Sequence, residues 1–159
     1  MRPDLRFLLA HPAHLIALGF GSGLAPKAPG TAGTLLGLPL FWAITAIAPD
    51  LPNQLILIAA GFLLGIWACA RTGRALGVAD HGGMVWDEIV AFALVLLFTP
   101  AGWMWMLAAF GLFRLFDIVK PWPIRFFDTR LKNGFGVMFD DLLAAGYAIA
   151  CLQLAAHFL

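Results

Sequence analysis

The chain has 159 residues, which is long enough for one domain with its own core, and no linker divides it. Hydrophobic residues make up 62% and charged residues 12%, against about 25% charged residues in a typical soluble domain. This composition excludes an ordinary soluble domain and indicates one membrane-embedded domain over residues 1–159. The formal net charge of +1 identifies no class of partner, and we expect no nucleic-acid partner.

The first third of the chain is predicted to contain an interfacial helix, a loop and two membrane helices. Residues 5–18 can form a short amphipathic helix at the membrane surface. Residues 19–33 are rich in Gly and Pro and are predicted to form a loop. The apolar runs 34–48 and 54–70 approach the roughly 20 residues that a helix needs to cross a bilayer, and residues 49–53 are predicted to form the turn between them.

A second membrane region follows a polar stretch at residues 77–88. Residues 89–113 are predicted to form a hairpin of two short helices, because Pro and Gly within residues 99–102 favour a turn. The alternative is one long span, which would place the charges before and after it on opposite sides of the membrane. The last run, residues 142–159, is long enough to cross the membrane once.

The distribution of Lys and Arg supports the hairpin. With a hairpin, all ten of them fall on one side of the membrane, and the positive-inside rule makes that side cytoplasmic. The sequence therefore predicts an all-α, polytopic membrane helical bundle with about five spanning or half-spanning helices plus short interfacial helices. Whether residues 5–18 cross the membrane stays open.

The segment 113–141 carries nine of the 19 charged residues of the chain, although apolar runs lie on both sides of it. Its acids are Asp117, Asp128, Asp140 and Asp141, and its bases are Arg114, Lys120, Arg125, Arg130 and Lys132. Charges next to membrane segments are costly and are usually retained for function. We therefore expect a polar site on the cytoplasmic face.

Two acidic doublets, at positions 87–88 and 140–141, come at the predicted starts of helices. Acids there can serve only as caps that suit the helix dipole. Two doublets on one membrane face, with Asp80 and Asp117 nearby, also form an oxygen-rich cluster that suits Mg²⁺. His81 can be a general acid or an ordinary loop histidine.

Bases beside these acids indicate phosphoryl chemistry, in which a metal and a bound anion lie together. Lys120 and Arg125 flank a Pro-rich segment, and Arg114 shares a helix face with Asp117. The alternative is a set of surface ion pairs that attract anionic lipids. The glycine-rich stretch 19–33 can offer backbone N–H groups to a phosphate, or it can be a flexible re-entrant turn.

Two other functions are less well supported. A transporter should place its acids near the bilayer midplane, whereas here nearly all of them flank the apolar runs. Another Mg²⁺-dependent lipid headgroup enzyme, a phosphatase or a transferase, is the second alternative, and the transferase is disfavoured because the paired-aspartate spacing of the alcohol phosphotransferases is absent.

Four blocks of the sequence resemble, in order, the signatures of the phosphatidylglycerophosphatase A family. They cover residues 19–33, 80–88, 113–128 and 134–141, and the one mild departure is Thr34, where the family has serine. The resemblance implies an all-helical, Mg²⁺-dependent phosphatase that removes the terminal phosphate of phosphatidylglycerophosphate to give phosphatidylglycerol. It also implies a multi-pass protein of the bacterial inner membrane with its active site on the cytoplasmic face, among membrane lipids.

The resemblance also implies roles for individual residues. Five carboxylates are the expected Mg²⁺ ligands: Asp80, Asp87, Glu88, Asp140 and Asp141. The expected catalytic residues are Asp87, Glu88, Asp117, Asp140, Asp141 and His81. The expected phosphate-binding residues are Arg114, Lys120, Arg125 and, from the glycine-rich stretch, Ser22, Lys27 and Thr31. Water, rather than a side chain, is expected to attack the phosphorus.

Overall fold

The computed structural model describes residues 2–159, and Met1, which belongs to the predicted domain, lies outside the described residues. The described part is all helical and contains no strand, so the all-α prediction is confirmed. The α-helices are α1 (Leu5–Leu9), α2 (Pro12–Ala17), α3 (Pro29–Ile47), α4 (Leu51–Leu76), α5 (Trp86–Leu97), α6 (Trp103–Val119), α7 (Ile124–Arg130) and α8 (Gly134–Phe158). A 3-10 helix, Gly19–Leu24, lies between α2 and α3.

Three of these helices are long and apolar enough to cross a membrane: α3, α4 and α8. The predicted hairpin forms as α5 and α6, which have 12 and 17 residues. The predicted number of about five spanning or half-spanning helices is therefore approximate. Three helices meet the length of a full span, and the hairpin supplies two shorter ones.

Three predicted boundaries are wrong. Residues 5–18 form two helices, because Nδ1 of His11 accepts the Ala13 N–H at 3.0 Å and starts α2 anew, with Pro12 in its first turn. Residues 19–33 are not one loop, since α3 already begins at Pro29, where proline fits a first turn. The helix predicted from residue 142 begins at Gly134 instead.

Helix α5 is the central element of the bundle. After its first turn its residues are apolar on all sides, and it packs against α3, α4, α6 and α8. Glycines permit the close approach of its neighbours. A Cβ at Gly37 of α3 would lie 2.9 Å from Phe92, and one at Gly65 of α4 would lie 2.7 Å from Trp86. The position of α5 brings its first turn, with Asp87 and Glu88, into the middle of the end of the bundle where α6 ends and α8 begins.

Candidate active site

Five carboxylates from three helices meet at this end of the bundle. Asp87 and Glu88 come from the first turn of α5, Asp117 from the last turn of α6, and Asp140 and Asp141 from about two turns into α8. Four of the five residues are buried, and Asp140 and Asp141 are each only 3% exposed. We call these five residues the acid cluster.

The carboxylate oxygens lie close enough to share a cation. Oxygens of Asp87, Asp140 and Asp141 lie within 4.8 Å of one another, and so do oxygens of Glu88, Asp117 and Asp141. Asp141 thus belongs to both triplets. Oxygen ligands converging from different helices are the type of site that hard cations occupy.

Three oxygens of the acid cluster are buried without a hydrogen-bond partner in the described part of the chain. They are Oδ1 of Asp87, Oε2 of Glu88 and Oδ2 of Asp141. A buried, unpaired carboxylate oxygen is costly, and native proteins rarely keep one without a ligand or water to satisfy it. Because all the donors are carboxylate oxygens, the residues present fit a hard divalent cation such as Mg²⁺.

Electrostatics support the same conclusion. Burial raises the pKa of Glu88 to about 7, and the charge of Asp117 adds to this effect, while Arg114 opposes it. Burial also raises the pKa of Asp87, and the charges of Glu88 and Asp80 contribute. Like charges in a buried site disfavour ionisation, whereas a bound cation would favour the ionised carboxylates.

Two bases flank the acid cluster. Nη1 of Arg114 donates to Oε1 of Glu88 at 3.0 Å and also to Asp117 on its own helix. Nζ of Lys120 lies 2.9 Å from Oδ1 of Asp128 and 2.6 Å from Oδ2 of Asp140. Burial by itself would lower the pKa of Lys120, but these two carboxylates outweigh it and raise the pKa, so Lys120 is charged.

Lys120 also has an unusual backbone. It ends α6 with φ of 48°, in the left-handed region. This conformation disfavours residues with a side chain, and proteins tend to retain it at functional sites. It turns the chain sharply after Val119 and leaves the side chain between Asp128 of α7 and Asp140 of α8. The sequence around Lys120 gave no signal of this turn beyond the proline that follows.

The doublet at 140–141 does not cap a helix. Asn133 is the N-cap of α8, and its side chain accepts the Gly136 N–H at 2.8 Å. The two aspartates follow well inside the helix, where capping cannot explain them. The acid at 117 is likewise unfavourable for its own helix, because the C-terminal end of a helix dipole repels negative charge.

Glycines of α3 lie directly over Glu88, a contact that no pattern in the sequence predicted. A Cβ added to Gly30 would lie 2.4 Å from Oε1 of Glu88, and one added to Gly33 would lie 3.2 Å from Oε2. The backbone of the first turns of α3 therefore covers one side of the acid cluster. Gly30 and Gly33 belong to the glycine-rich stretch 19–33, which was predicted to be a loop. Glycines near the start of a helix were therefore the one sequence signal for this close approach.

The remaining predicted site residues are not joined to the acid cluster by any hydrogen bond or ion pair within residues 2–159. Lys27, Asp80 and Arg125 are exposed. Three others are only partly buried and serve local structure: Ser22 donates to the Gly19 carbonyl, Thr31 lies in the first turn of α3, and His81 accepts the Gly83 N–H. Their roles in phosphate binding, metal binding or catalysis stay predictions.

Comparison with known proteins gives consistent matches over nearly the whole chain. A family model described as phosphatidylglycerophosphatase A matches residues 15–156. Phosphatidylglycerophosphatase A of Haemophilus influenzae is 50% identical over 148 residues, which is 92% of this chain and 90% of the relative. The Escherichia coli K12 protein of the same name is 38% identical over 153 residues, covering 96% of this chain and 88% of the relative.

A third relative carries a different name. A Bacteroides thetaiotaomicron protein, provisionally named a phosphatidylinositol-3-phosphatase, is 40% identical over 147 residues, covering 89% of this chain and 91% of the relative. No solved structure gives a significant match.

Proposed function

The chain belongs to the phosphatidylglycerophosphatase A family, and from this premise we propose that it hydrolyses the terminal phosphate monoester of phosphatidylglycerophosphate. The products would be phosphatidylglycerol and inorganic phosphate. The observation that carries the proposal is the acid cluster itself, with three unpaired buried oxygens and a base on each side. A phosphatase site needs such a pairing of acids for a metal with bases for an anion.

Mg²⁺ is the proposed cofactor, held by the acid cluster. Asp87, Asp140 and Asp141 offer one set of oxygens, and Glu88 and Asp117 extend it. When bound, the ion would offset negative charge on the transferring phosphoryl group and make water a better nucleophile. Asp80 is exposed on the loop before α5 and stays a predicted further ligand.

Arg114 and Lys120 would bind the phosphate oxygens. Nε of Arg114 is buried and has no hydrogen-bond partner among the described residues, so one donor is available. Nζ of Lys120 has three protons, and its contacts to Asp128 and Asp140 use two of them. Fixed cations beside the phosphoryl oxygens stabilise the charge that spreads over these oxygens in the transition state.

Water is the proposed nucleophile. The alternative is an aspartyl-phosphate on one of the two doublets, and the two routes differ in one observable. Protein quenched in acid during turnover of radiolabelled substrate should carry no covalent label if water attacks directly. Label that stays on the wild-type protein, and is absent from an Asp87 or Asp141 variant, would contradict direct attack by water and support an aspartyl-phosphate.

The proposed location is the bacterial inner membrane, with the acid cluster facing the cytoplasm. Helices α3, α4 and α8 can span a membrane, and the acid cluster lies at the end of the bundle where the Lys and Arg residues gather. The phosphate of a membrane lipid lies at this interfacial depth, so a lipid substrate can reach the site without leaving the bilayer.

A second candidate substrate is another phospholipid with a phosphate monoester. It is favoured by the Bacteroides relative, whose name refers to phosphatidylinositol 3-phosphate. Both substrates carry a phosphate monoester on a lipid, and the acid cluster would bind this group in the same way in each. The two substrates differ in the headgroup that bears the reacting phosphate.

The test is phosphate release by purified protein in mixed micelles, with Mg²⁺ or with EDTA. Substrates are phosphatidylglycerophosphate, phosphatidylinositol 3-phosphate and phosphatidic acid of equal chain length. The variants are Asp87→Asn and Asp141→Asn. Asp50→Asn is the matched control, because Asp50 is an exposed acid at the start of α4 that accepts the Asn53 N–H, and asparagine caps equally well.

We expect Mg²⁺-dependent release, fastest with phosphatidylglycerophosphate, that falls at least a hundredfold in both site variants and is unchanged in Asp50→Asn. Faster release from phosphatidylinositol 3-phosphate would replace the proposed substrate by the second candidate. Full activity in both site variants would remove the acid cluster from the mechanism.

A further inference from the structure

A second polar cleft lies between α2 and α4, apart from the acid cluster. It has a volume of about 560 Å³ and is lined by Ala10, His11, His14, Arg71, Arg74 and Ala75. No residue of the acid cluster lines it. Neither the proposed hydrolysis nor the family resemblance uses any of its residues, and we therefore asked what this cleft can bind.

The cleft carries positive charge without an acidic partner. Arg71 and Arg74 are both exposed and lie three residues apart on α4. The four ion pairs within residues 2–159 belong to Arg114 and Lys120, so neither Arg71 nor Arg74 forms an ion pair with a carboxylate there. Two adjacent guanidinium groups are suited to a phosphate, which they can hold by charge-assisted hydrogen bonds.

The inner wall of the cleft is ordered by a buried polar contact. His14 is 6% exposed, and its Nδ1 lies 2.9 Å from Oγ1 of Thr72. The Thr72 hydroxyl donates to the Ala13 carbonyl at 3.3 Å, so its oxygen is free to accept from His14. Burial, with the charges of His11 and Arg71, lowers the pKa of His14. This contact joins α2 to α4 and fixes the side of the cleft opposite the arginines.

The face of α4 that carries the arginines continues as an apolar stripe. Ile56, Leu63, Trp67, Arg71 and Arg74 follow one another at seven-, four-, four- and three-residue intervals, so they share one side of the helix. Ile56 and Leu63 are 63% and 66% exposed, and Trp67 is 46% exposed. Tryptophan favours the membrane–water interface, and the ring of Trp67 lies beside His11, 6.0 Å between centroids.

The order of side chains along α4 matches the order of groups in a phospholipid. Exposed aliphatic side chains come first, then a tryptophan, a residue that favours the membrane–water interface, and then two cations that can pair with a lipid phosphate. We propose that the cleft between α2 and α4 binds the phosphate of an anionic phospholipid, with an acyl chain along the stripe from Trp67 to Ile56. This site is separate from the acid cluster and does not depend on the proposed hydrolysis.

A free phosphate shares the chemistry that the arginines recognise, but it would not use the apolar stripe. The experiment therefore compares both. Native mass spectrometry of the detergent-purified protein in EDTA counts bound phosphatidylglycerol and, separately, phosphatidylcholine of equal chain length, each titrated alone. Inorganic phosphate is then added as a competitor at millimolar concentration.

The key variant is Arg71→Ala with Arg74→Ala. Both side chains are exposed, so folding should be unaffected, and the thermal unfolding midpoint of the variant is measured to check this. The matched control is Arg2→Ala with Arg130→Ala, which removes two exposed arginines from elsewhere on the chain. Arg71→Lys with Arg74→Lys retains the charge but removes the bidentate geometry.

We expect tight binding of phosphatidylglycerol over phosphatidylcholine, at least tenfold weaker in the Arg71/Arg74 alanine variant, intermediate in the lysine variant and unchanged in the control. Equal affinity in the alanine variant and the wild type would overturn the proposal. Equal weakening in the alanine variant and the control would also overturn it, because it would indicate general attraction to positive charge. Complete displacement by inorganic phosphate would assign the cleft to a free anion instead of a lipid.

Discussion

Lys120 and Asp140 are 20 residues apart in the chain, yet Nζ of Lys120 lies 2.6 Å from Oδ2 of Asp140. This ion pair connects the end of α6 to α8 and closes one side of the acid cluster. Lys120 also forms an ion pair with Asp128. Because Asp140 is almost fully buried and Asp128 is more exposed, the two ion pairs should differ in strength.

The first prediction concerns this difference. We expect a double-mutant cycle of Lys120→Met with Asp140→Asn to give a coupling free energy of about 2 kcal/mol in EDTA, since the partner is buried. The cycle of Lys120→Met with Asp128→Asn should give about 0.5 kcal/mol, because Asp128 is 24% exposed against 4% for Asp140 and solvent screens its pair more. Chemical denaturation of all the variants measures both values. Equal coupling in the two cycles would contradict the contrast in burial.

A second prediction concerns the cost of the unpaired acids. Asp141→Asn removes one buried like charge from the acid cluster, so in EDTA the variant should be more stable than the wild type by about 1 kcal/mol. For a chain of this size that is a rise of roughly 2–4 °C in the unfolding midpoint. Thermal unfolding with added Mg²⁺ should stabilise the wild type more than the variant.

The control for this experiment is Asp50→Asn, which removes an exposed acid far from the cluster. It should leave the response to Mg²⁺ unchanged. A variant at Asp141 that is less stable than the wild type in EDTA would show that the acid is held by contacts other than a cation.

A third prediction concerns the glycine that covers Glu88. In Gly30→Ala, the new Cβ would lie 2.4 Å from Oε1 of Glu88, which Arg114 holds at 3.0 Å. The carboxylate must move, so we expect activity to fall at least tenfold and the Mg²⁺ requirement to rise, with little change in stability. Gly146→Ala is the matched control, because no atom lies within 4 Å of the added Cβ. It should be neutral or up to about 1 kcal/mol more stable.

Some features of the bundle and of the acid cluster could be predicted from the sequence, and others could not. The hairpin, the meeting of the two doublets and the nearby Lys120 followed from composition and charge, because membrane segments restrict where charges can lie. The start of α3 could not be recognised, since glycines that allow close packing against Glu88 look like loop residues in a single sequence. The exposure of Arg125 depends on how α7 turns after the Pro-rich segment, which no local pattern encodes.

The fourth prediction concerns pH. Burial raises the pKa of Glu88 from 4.5 to about 7 in the folded protein. The folded state therefore binds more protons than the unfolded state between these values, and stability in EDTA should fall as pH rises from 4.5 to 7. Unfolding midpoints at several pH values measure this slope. Glu88→Gln should show a smaller slope, and saturating Mg²⁺ should reduce it by favouring the ionised carboxylate. A slope that persists unchanged in Glu88→Gln would assign the effect to another acid.

The last prediction concerns topology. Cysteines introduced one at a time, in a chain with Cys69→Ala and Cys151→Ala, are reacted with an impermeant maleimide from either side of sealed membranes. Gly82 lies in the open loop before α5, where an added Cβ meets no atom within 4 Å, and Asn53 is exposed near the start of α4. Gly82→Cys should react only from the cytoplasmic side and Asn53→Cys only from the other side.

Ala101, at the tip of the α5–α6 hairpin, decides between a hairpin that reaches the far surface and one that stays within the bilayer. Helix α5 has 12 residues, so it rises about 18 Å, well short of a hydrocarbon core of about 30 Å. We therefore expect Ala101→Cys not to react from the cytoplasmic side and to react only poorly from the other side. Cytoplasmic labelling of Ala101→Cys would place the hairpin outside the membrane and would require another path for the acid cluster to meet a lipid phosphate.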